Sequence, residues 1–244
     1  RLGQRFINAI SAPTAEGILY EVDMRLRPSG NSGPIAGSLE AFIQYHEDQA
    51  WTWERMALTR ARAITGSVDF KHQVDATIQG ILCRQSNPET LLHEVSDMRQ
   101  RMDKEHHTDQ LWSIKHLRGG LVDVEFLLQY LLLRHAHSSP AILSPNSWRA
   151  IKQLHRYGYL NDEQSEILLR ALDLWQALQS RLHLSLSTDE APTNTSAMPL
   201  ALQERLIRLG GAHDIDEIEA LIQSTSSHVY TLFQEIIGEP TVET

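Results

Sequence analysis

The stretch Tyr20-Glu21-Val22-Asp23-Met24-Arg25-Leu26-Arg27 alternates apolar and charged residues without a break and stops at Pro28. Successive side chains of a β-strand point to opposite faces, so the alternation predicts a strand that sends Tyr20, Val22, Met24 and Leu26 into a core. Glu21, Asp23, Arg25 and Arg27 would share the other face, with neighbours about 7 Å apart. At that spacing a carboxylate can hold a hard cation while planar guanidinium forks receive phosphate oxygens. The same alternation also describes a half-exposed strand whose charges face water.

Outward from this octet the chain changes character. Ser29-Gly30-Asn31-Ser32-Gly33-Pro34 is rich in turn formers. Such a loop serves equally as a plain connector or as a place where backbone N–H groups approach phosphate. Ser38 stands where a helix cap is wanted. Leu39, Phe42, Ile43, His46, Ala50, Trp53 and Ala57 then recur at three- and four-residue intervals, which predicts a helical face packed on the sheet, with a break near residues 49–51. Trp51 and Trp53 read as core or interface aromatics.

From about Phe70 onward helical patterns dominate. Residues 89–106 predict a charge-rich amphipathic helix with Leu92, Val95, Met98 and Met102 at core spacing, and Arg99 and Arg101 solvated or paired on its faces. Gly119-Gly120 precedes an apolar helix over 121–135 that carries two acids, Asp123 and Glu125. Two positions apart, these point to different sides of a helix and cannot chelate one ion together. A buried carboxylate there needs a cation, an arginine or Lys115, and would lock the helical part onto the part before it. Asn161 or Asp162 can start a long helix with Leu168, Ala171, Trp175, Leu178 and Leu182 along one seam. Residues 187–199 read as a mobile loop, and 214–237 as a closing helix.

Composition narrows the function classes. The formal net charge of −9 argues against broad nucleic-acid binding, although arginines can still gather at one site. No stretch is long and apolar enough for a membrane span, and no signal-peptide pattern is present. A single cysteine, Cys83, excludes an internal disulfide framework, suits a cytoplasmic chain and reads as a small buried residue. The 12 histidines form no His-Glu-x-x-His run, and no Walker loop, nucleophile elbow or dinucleotide glycine fingerprint occurs.

Several longer words stand in order: Asp23-Met24-Arg25-Leu26-Arg27-Pro28-Ser29-Gly30, Ser32-Gly33-Pro34, Tyr45, then Trp51-Thr52-Trp53-Glu54-Arg55-Met56-Ala57-Leu58-Thr59-Arg60-Ala61-Arg62, and Gly119-Gly120-Leu121-Val122-Asp123-Val124-Glu125-Phe126. Together they make the chain resemble, over nearly its whole length, the glutamine synthetase adenylyltransferases, bifunctional bacterial enzymes that attach AMP to a tyrosine of glutamine synthetase and remove it. The Trp51-Thr52-Trp53-Glu54 wording resembles the C-terminal, adenylylating half. The resemblance implies an α+β, predominantly α fold: the end of a nucleotidyltransferase-type sheet in residues 1–66, then a helical bundle in 67–244. It implies ATP as substrate with Mg2+, Asp23 as metal ligand or as base toward the tyrosine hydroxyl, and Arg25, Arg27, Arg60 and Arg62 toward the nucleotide. Glu54 joins that signature either near the nucleotide or in salt bridges that hold the helix.

The same resemblance implies glutamine synthetase as partner, control by a PII-type signal protein and by glutamine, and no nucleic-acid or membrane partner. Such enzymes carry two further metal-binding aspartates before the position of Asp23, and residues 1–19 contain none. The chain alone is therefore expected to be inactive or nearly so. Two other enzyme readings stay open: the deadenylylating half, which uses phosphate to release ADP, and the related helical segment of PII uridylyltransferases. A non-catalytic docking or regulatory module is the alternative of a different class.

Overall fold

The computed structural model describes residues 2–15, 17, 22–106, 108–186 and 192–238. Among them are ten α-helices and no β-strand; their one extended pairing is an isolated bridge between Thr14 and Gly17. The chain divides into two compact units, residues 1–81 and 82–244.

The first unit corrects the expectation of a sheet. Residues 22–24 are irregular and the chain turns from Arg25 through Ser29, while Tyr20 and Glu21 lie outside the described residues. Leu26, expected in a core, is 64 % exposed. The reason is backbone hydrogen bonding: a strand needs a neighbour for its N–H and C=O groups, and none of the described residues supplies one. The segment instead folds back on itself through side-chain bonds to its own backbone.

Four helices belong largely to this unit: α1 (Leu2–Ser11), α2 (Leu39–Asp48), α3 (Thr52–Leu58) and α4 (Val68–Leu82). Ser38 caps α2 by accepting from Ala41 N at 3.2 Å, and the helical run breaks between α2 and α3 as the sequence predicts. Met56 is fully buried. Trp51 and Trp53 are not core residues, at 70 % and 39 % exposed. Trp51 occupies the cap position of α3, where its backbone N–H is engaged and its ring stands outside the helix.

The second unit is a helical bundle built around α6 (Leu121–His135), with α5 (Pro88–His106), α7 (Ser147–Arg156), α8 (Asp162–Ser185) and α10 (Ile215–Ile236) packed on it. α9 (Leu200–Gly210) packs between α8 and α10. Val124, Phe126, Leu127, Leu131 and Leu133 are buried on all sides of α6, as a helix without a polar face requires. The α8 seam is the expected one: Leu168, Ala171, Trp175 and Leu178 are fully buried.

Caps define the helix starts. Asn161 accepts from Gln164 N at 2.8 Å while Gln164 accepts from Asn161 N at 3.1 Å, a reciprocal capping box. Asp214 accepts from Glu217 N at the start of α10. In α5 the buried seam is Leu91, Val95, Ser96 and Arg99, one position removed from the expected Leu92 and Met98. Within the segment read as a mobile loop, residues 187–191 lie outside the described residues; beyond them a 3-10 turn, Thr195–Ala197, precedes a buried Met198.

Candidate functional site

In the first unit the residues of the charged octet pair locally. Arg25 grips Asp23 through Nε to Oδ1 at 3.0 Å and Nη2 to Oδ2 at 2.8 Å, and its backbone N–H also reaches Oδ1 at 2.9 Å. These hydrogen bonds hold the Asp23 carboxyl down at about 2, and the guanidinium of Arg25 is pushed up in turn. Both side chains are exposed. Asp23 is thus a fully ionised, hard oxygen donor reachable from solvent, fit to contribute one ligand to a cation that takes its others from phosphates and water. Among the described residues no group of three or more His, Cys, Asp or Glu is placed to hold a metal ion.

Arg27 is used differently. Its guanidinium donates to the carbonyl of Met24 at 2.6 Å and to that of Gly33 at 3.3 Å, closing the loop that runs between them. The loop is tight: a Cβ at Gly33 would stand 2.0 Å from the Pro28 carbonyl oxygen, and Ser29 adopts φ +60°, rare for a non-glycine residue. Arg60 and Arg62 are exposed beyond the end of α3.

Glu54 is buried, and its carboxylate accepts from Tyr45 Oη at 2.8 Å and from Trp51 N at 2.9 Å. It therefore caps α3 and ties α3 to α2. Burial pushes the Tyr45 phenol up, with the Glu54 carboxylate acting in the same direction and hydrogen bonds from Ser29 opposing. Through Tyr45 the closed loop and the buried carboxylate are joined. The sequence marks Glu54 only as part of a long word, and its pairing with Tyr45 depends on the break between the two helices.

A second polar cluster lies within the helical unit. Asp123, 1 % exposed, accepts from Arg99 Nε and from Gly119 N, each at 2.5 Å. Arg99 also reaches Asp103 at 3.3 Å, and Arg118 binds the other oxygen of Asp103 at 2.8 Å. Arg118 further donates to Tyr230 Oη at 3.1 Å. The partner of Asp123 is thus Arg99 and not the exposed Lys115, and both partners belong to the helical unit, so this contact fastens α5 to α6 and not to the preceding part. Arg99 is not solvated, and Arg101, paired with Asp97 at 2.5 Å, is the exposed arginine of α5.

The two glycines before α6 are explained by this cluster. Gly119 has φ +76°, and a Cβ there would stand 1.8 Å from the carbonyl oxygen of Ser226 on α10. A Cβ at Gly120 would stand 2.4 Å from the carbonyl oxygen of Ile114. Trp175 donates to Gly119 O at 3.2 Å, drawing α8 into the same junction. Sequence reasoning missed the convergence of Arg99, Asp103, Arg118 and Tyr230. Its one legible sign is that Arg99 follows Leu91 and Val95 at four-residue steps, on the buried stripe of α5.

Comparison with known proteins finds a family model for most of each unit. Residues 1–77 match the family model of glutamate-ammonia ligase adenylyltransferase, and residues 91–237 match that of GlnD PII-uridylyltransferase. The bifunctional glutamine synthetase adenylyltransferase/adenylyl-removing enzyme of Rhodopseudomonas palustris (strain ATCC BAA-98 / CGA009) is 39 % identical over 238 residues, 98 % of this chain. The chain belongs to the glutamine synthetase adenylyltransferase family. Other members of this adenylyltransferase family match as evenly. Those of Bradyrhizobium diazoefficiens and Xanthobacter autotrophicus are 38 % and 39 % identical, each over 97 % of the chain. The chain spans 24 % of the length of each of these relatives.

Proposed function

We propose that the chain is part of an enzyme that transfers AMP from ATP to a tyrosine of glutamine synthetase, with pyrophosphate leaving, and that it comes from the adenylylating half. The observation that carries this reading is the even match to bifunctional adenylyltransferases across both units. Asp23 is assigned to the reaction, either as one ligand of Mg2+ or as the base that takes the tyrosine proton. Mg2+ would supply Lewis-acid polarisation of the phosphoryl oxygens.

Arg25 holds Asp23 ionised and exposed, and can exchange its partner from carboxylate to phosphate, for which its fork is equally suited. Arg27 closes the loop beside them, so its part in phosphate contact is to present that loop. Arg60 and Arg62 add exposed positive charge for the nucleotide. Residues 1–66 would serve the nucleotide and residues 67–244 would form the bundle. Control by a PII-type signal protein and by glutamine, in the cytoplasm, completes the proposal.

A docking role is the second reading, and one observation favours it. A groove of about 700 Å³ lies along α8, α9 and α10, with Ile167, Leu174 and Leu221 in it and three acids, Glu163, Glu166 and Asp173, beside one arginine, Arg170, that pairs with Glu166. Such a surface suits a partner helix with apolar anchors and basic flanks.

Intact mass spectrometry of glutamine synthetase, after incubation with Mg-ATP and an upstream-extended form of the chain, tests the transfer. A gain the size of one AMP, abolished by Asp23→Asn, is expected. Loss of that mass from already modified synthetase, in the presence of phosphate, would instead assign the adenylyl-removing direction. No change in either direction, with synthetase still bound by the chain, would leave the docking role as the function.

A further inference from the structure

A cavity of about 260 Å³ opens between α5, the start of α6 and α10, and its charge is opposite to that of the chain. Arg99, Lys104 and Arg118 line it against two carboxylates, Asp103 and Asp123. Both carboxylates are already engaged. Asp123 is neutralised by Arg99 and the Gly119 N–H, and Asp103 is shared between Arg99 and Arg118. The wall thus carries three cationic side chains and two carboxylates, in a protein whose formal net charge is −9.

The donors are not exhausted either. Arg99 is 8 % exposed, and a guanidinium carries five N–H donors, yet its described bonds use only Nε and Nη1. Nη2 has no hydrogen-bond partner among the described residues, and Arg99 lines the cavity. Lys104, on the same helix near the cavity mouth, forms no ion pair among the described residues. Gln100 and Gln234 add amides to the wall, and Phe233 supplies an apolar side. A nearly buried guanidinium held rigid by two carboxylates, with one face unfilled, is a preorganised receptor for a planar or tetrahedral oxyanion.

We propose that this cavity is a binding site for the oxyanion group of a small molecule, a carboxylate or a phosphate. The anion accepts from Arg99 Nη2 and is neutralised by Lys104, with the Gln100 amide contacting the rest of the molecule. Because α5 and α10 both wall the cavity, occupancy tightens α10 against α5 and stabilises the helical unit. This inference is independent of the transfer reaction proposed above and needs neither Asp23 nor any nucleotide.

Isothermal titration calorimetry of the chain at low ionic strength, with inorganic phosphate and separately with acetate, tests it. The expected result is saturable one-to-one binding of at least one probe, weakened tenfold or more by Lys104→Glu. Lys152→Glu, an equal charge change on the exposed face of α7, should leave the affinity unchanged. Circular dichroism establishes that both variants are folded. Tighter binding of phosphate would assign a phosphate-bearing ligand, and tighter binding of acetate a carboxylate. No saturable binding of either probe, or equal weakening by both substitutions, would overturn the proposal.

Discussion

Arg99 and Asp123 meet Nε to Oδ1 at 2.5 Å, with side chains 10 % and 2 % exposed, and so join the middle of α5 to the first turn of α6 away from water. A buried pair of this kind derives its effect on stability less from mutual attraction than from the cost of leaving either charge alone.

Asp123→Ala should therefore destabilise the helical unit by about 3–5 kcal/mol, because the guanidinium of Arg99 stays buried beside Asp103 only. Replacing both partners by apolar residues of similar volume should recover much of the loss. Urea denaturation of the single and double variants measures both. Equal stability of Asp123→Ala and the parent chain would remove the pair from the structural account.

Gly119→Ala should be at least as damaging. Left-handed backbone at a non-glycine residue costs about 1–3 kcal/mol, and here the added Cβ also meets the backbone of α10. Since Ser226 O is a carbonyl within a helix, it cannot swing aside as a side chain would. A fall in melting temperature larger than that of Gly158→Ala, where φ is also positive but the Cβ would meet nothing, is expected.

Glu54→Ala leaves the Tyr45 hydroxyl and the Trp51 N–H without their shared acceptor, at a cost of about 1–3 kcal/mol. Tyr45→Phe removes the hydroxyl that serves both Glu54 and the loop, but leaves the Trp51 N–H its acceptor. Hydrogen exchange should show faster exchange over residues 28–33 in both variants, but fraying at the start of α3 only in Glu54→Ala. Unchanged exchange in the loop would show that Tyr45 does not steady it.

The pH response of Asp23 has a definite sign. Its carboxyl is depressed from 3.8 to about 2 in the folded chain, so the contribution of the pair is complete above about pH 3.8 and disappears as pH falls through 2. Both partners are exposed, so salt should weaken the effect. Carboxyl NMR titration should give a midpoint near 2 in dilute buffer and a return toward 3.8 in Arg25→Gln. A midpoint unaffected by that substitution would contradict the assigned cause.

The helical unit was legible because its signals are local. α5, α6, α8 and α10 each carry a long apolar period, and Asn161 and Asp214 mark starts with side chains that cap their own helices. α7 was not read from the sequence: its buried residues, Ala150, Ile151 and Leu154, span little more than one turn. The octet at Tyr20 misled for the opposite reason. Alternation describes which way side chains would point in a strand, but a strand exists only where another segment completes its hydrogen bonds.

What the sequence by itself determined is the family, the helical character of the chain from about Phe70 onward and the identity of the charged residues, because motif order and helical period are written in consecutive residues. What only the tertiary structure decided is which charges meet. Asp23 closes on Arg25 two residues away, Glu54 on Tyr45 across a helix break, and Asp123 on Arg99 twenty-four residues earlier. An ionised side chain carries no period that names its partner. Packing selects it, since a charge removed from water is tolerated only where an opposite charge has been brought to the same place.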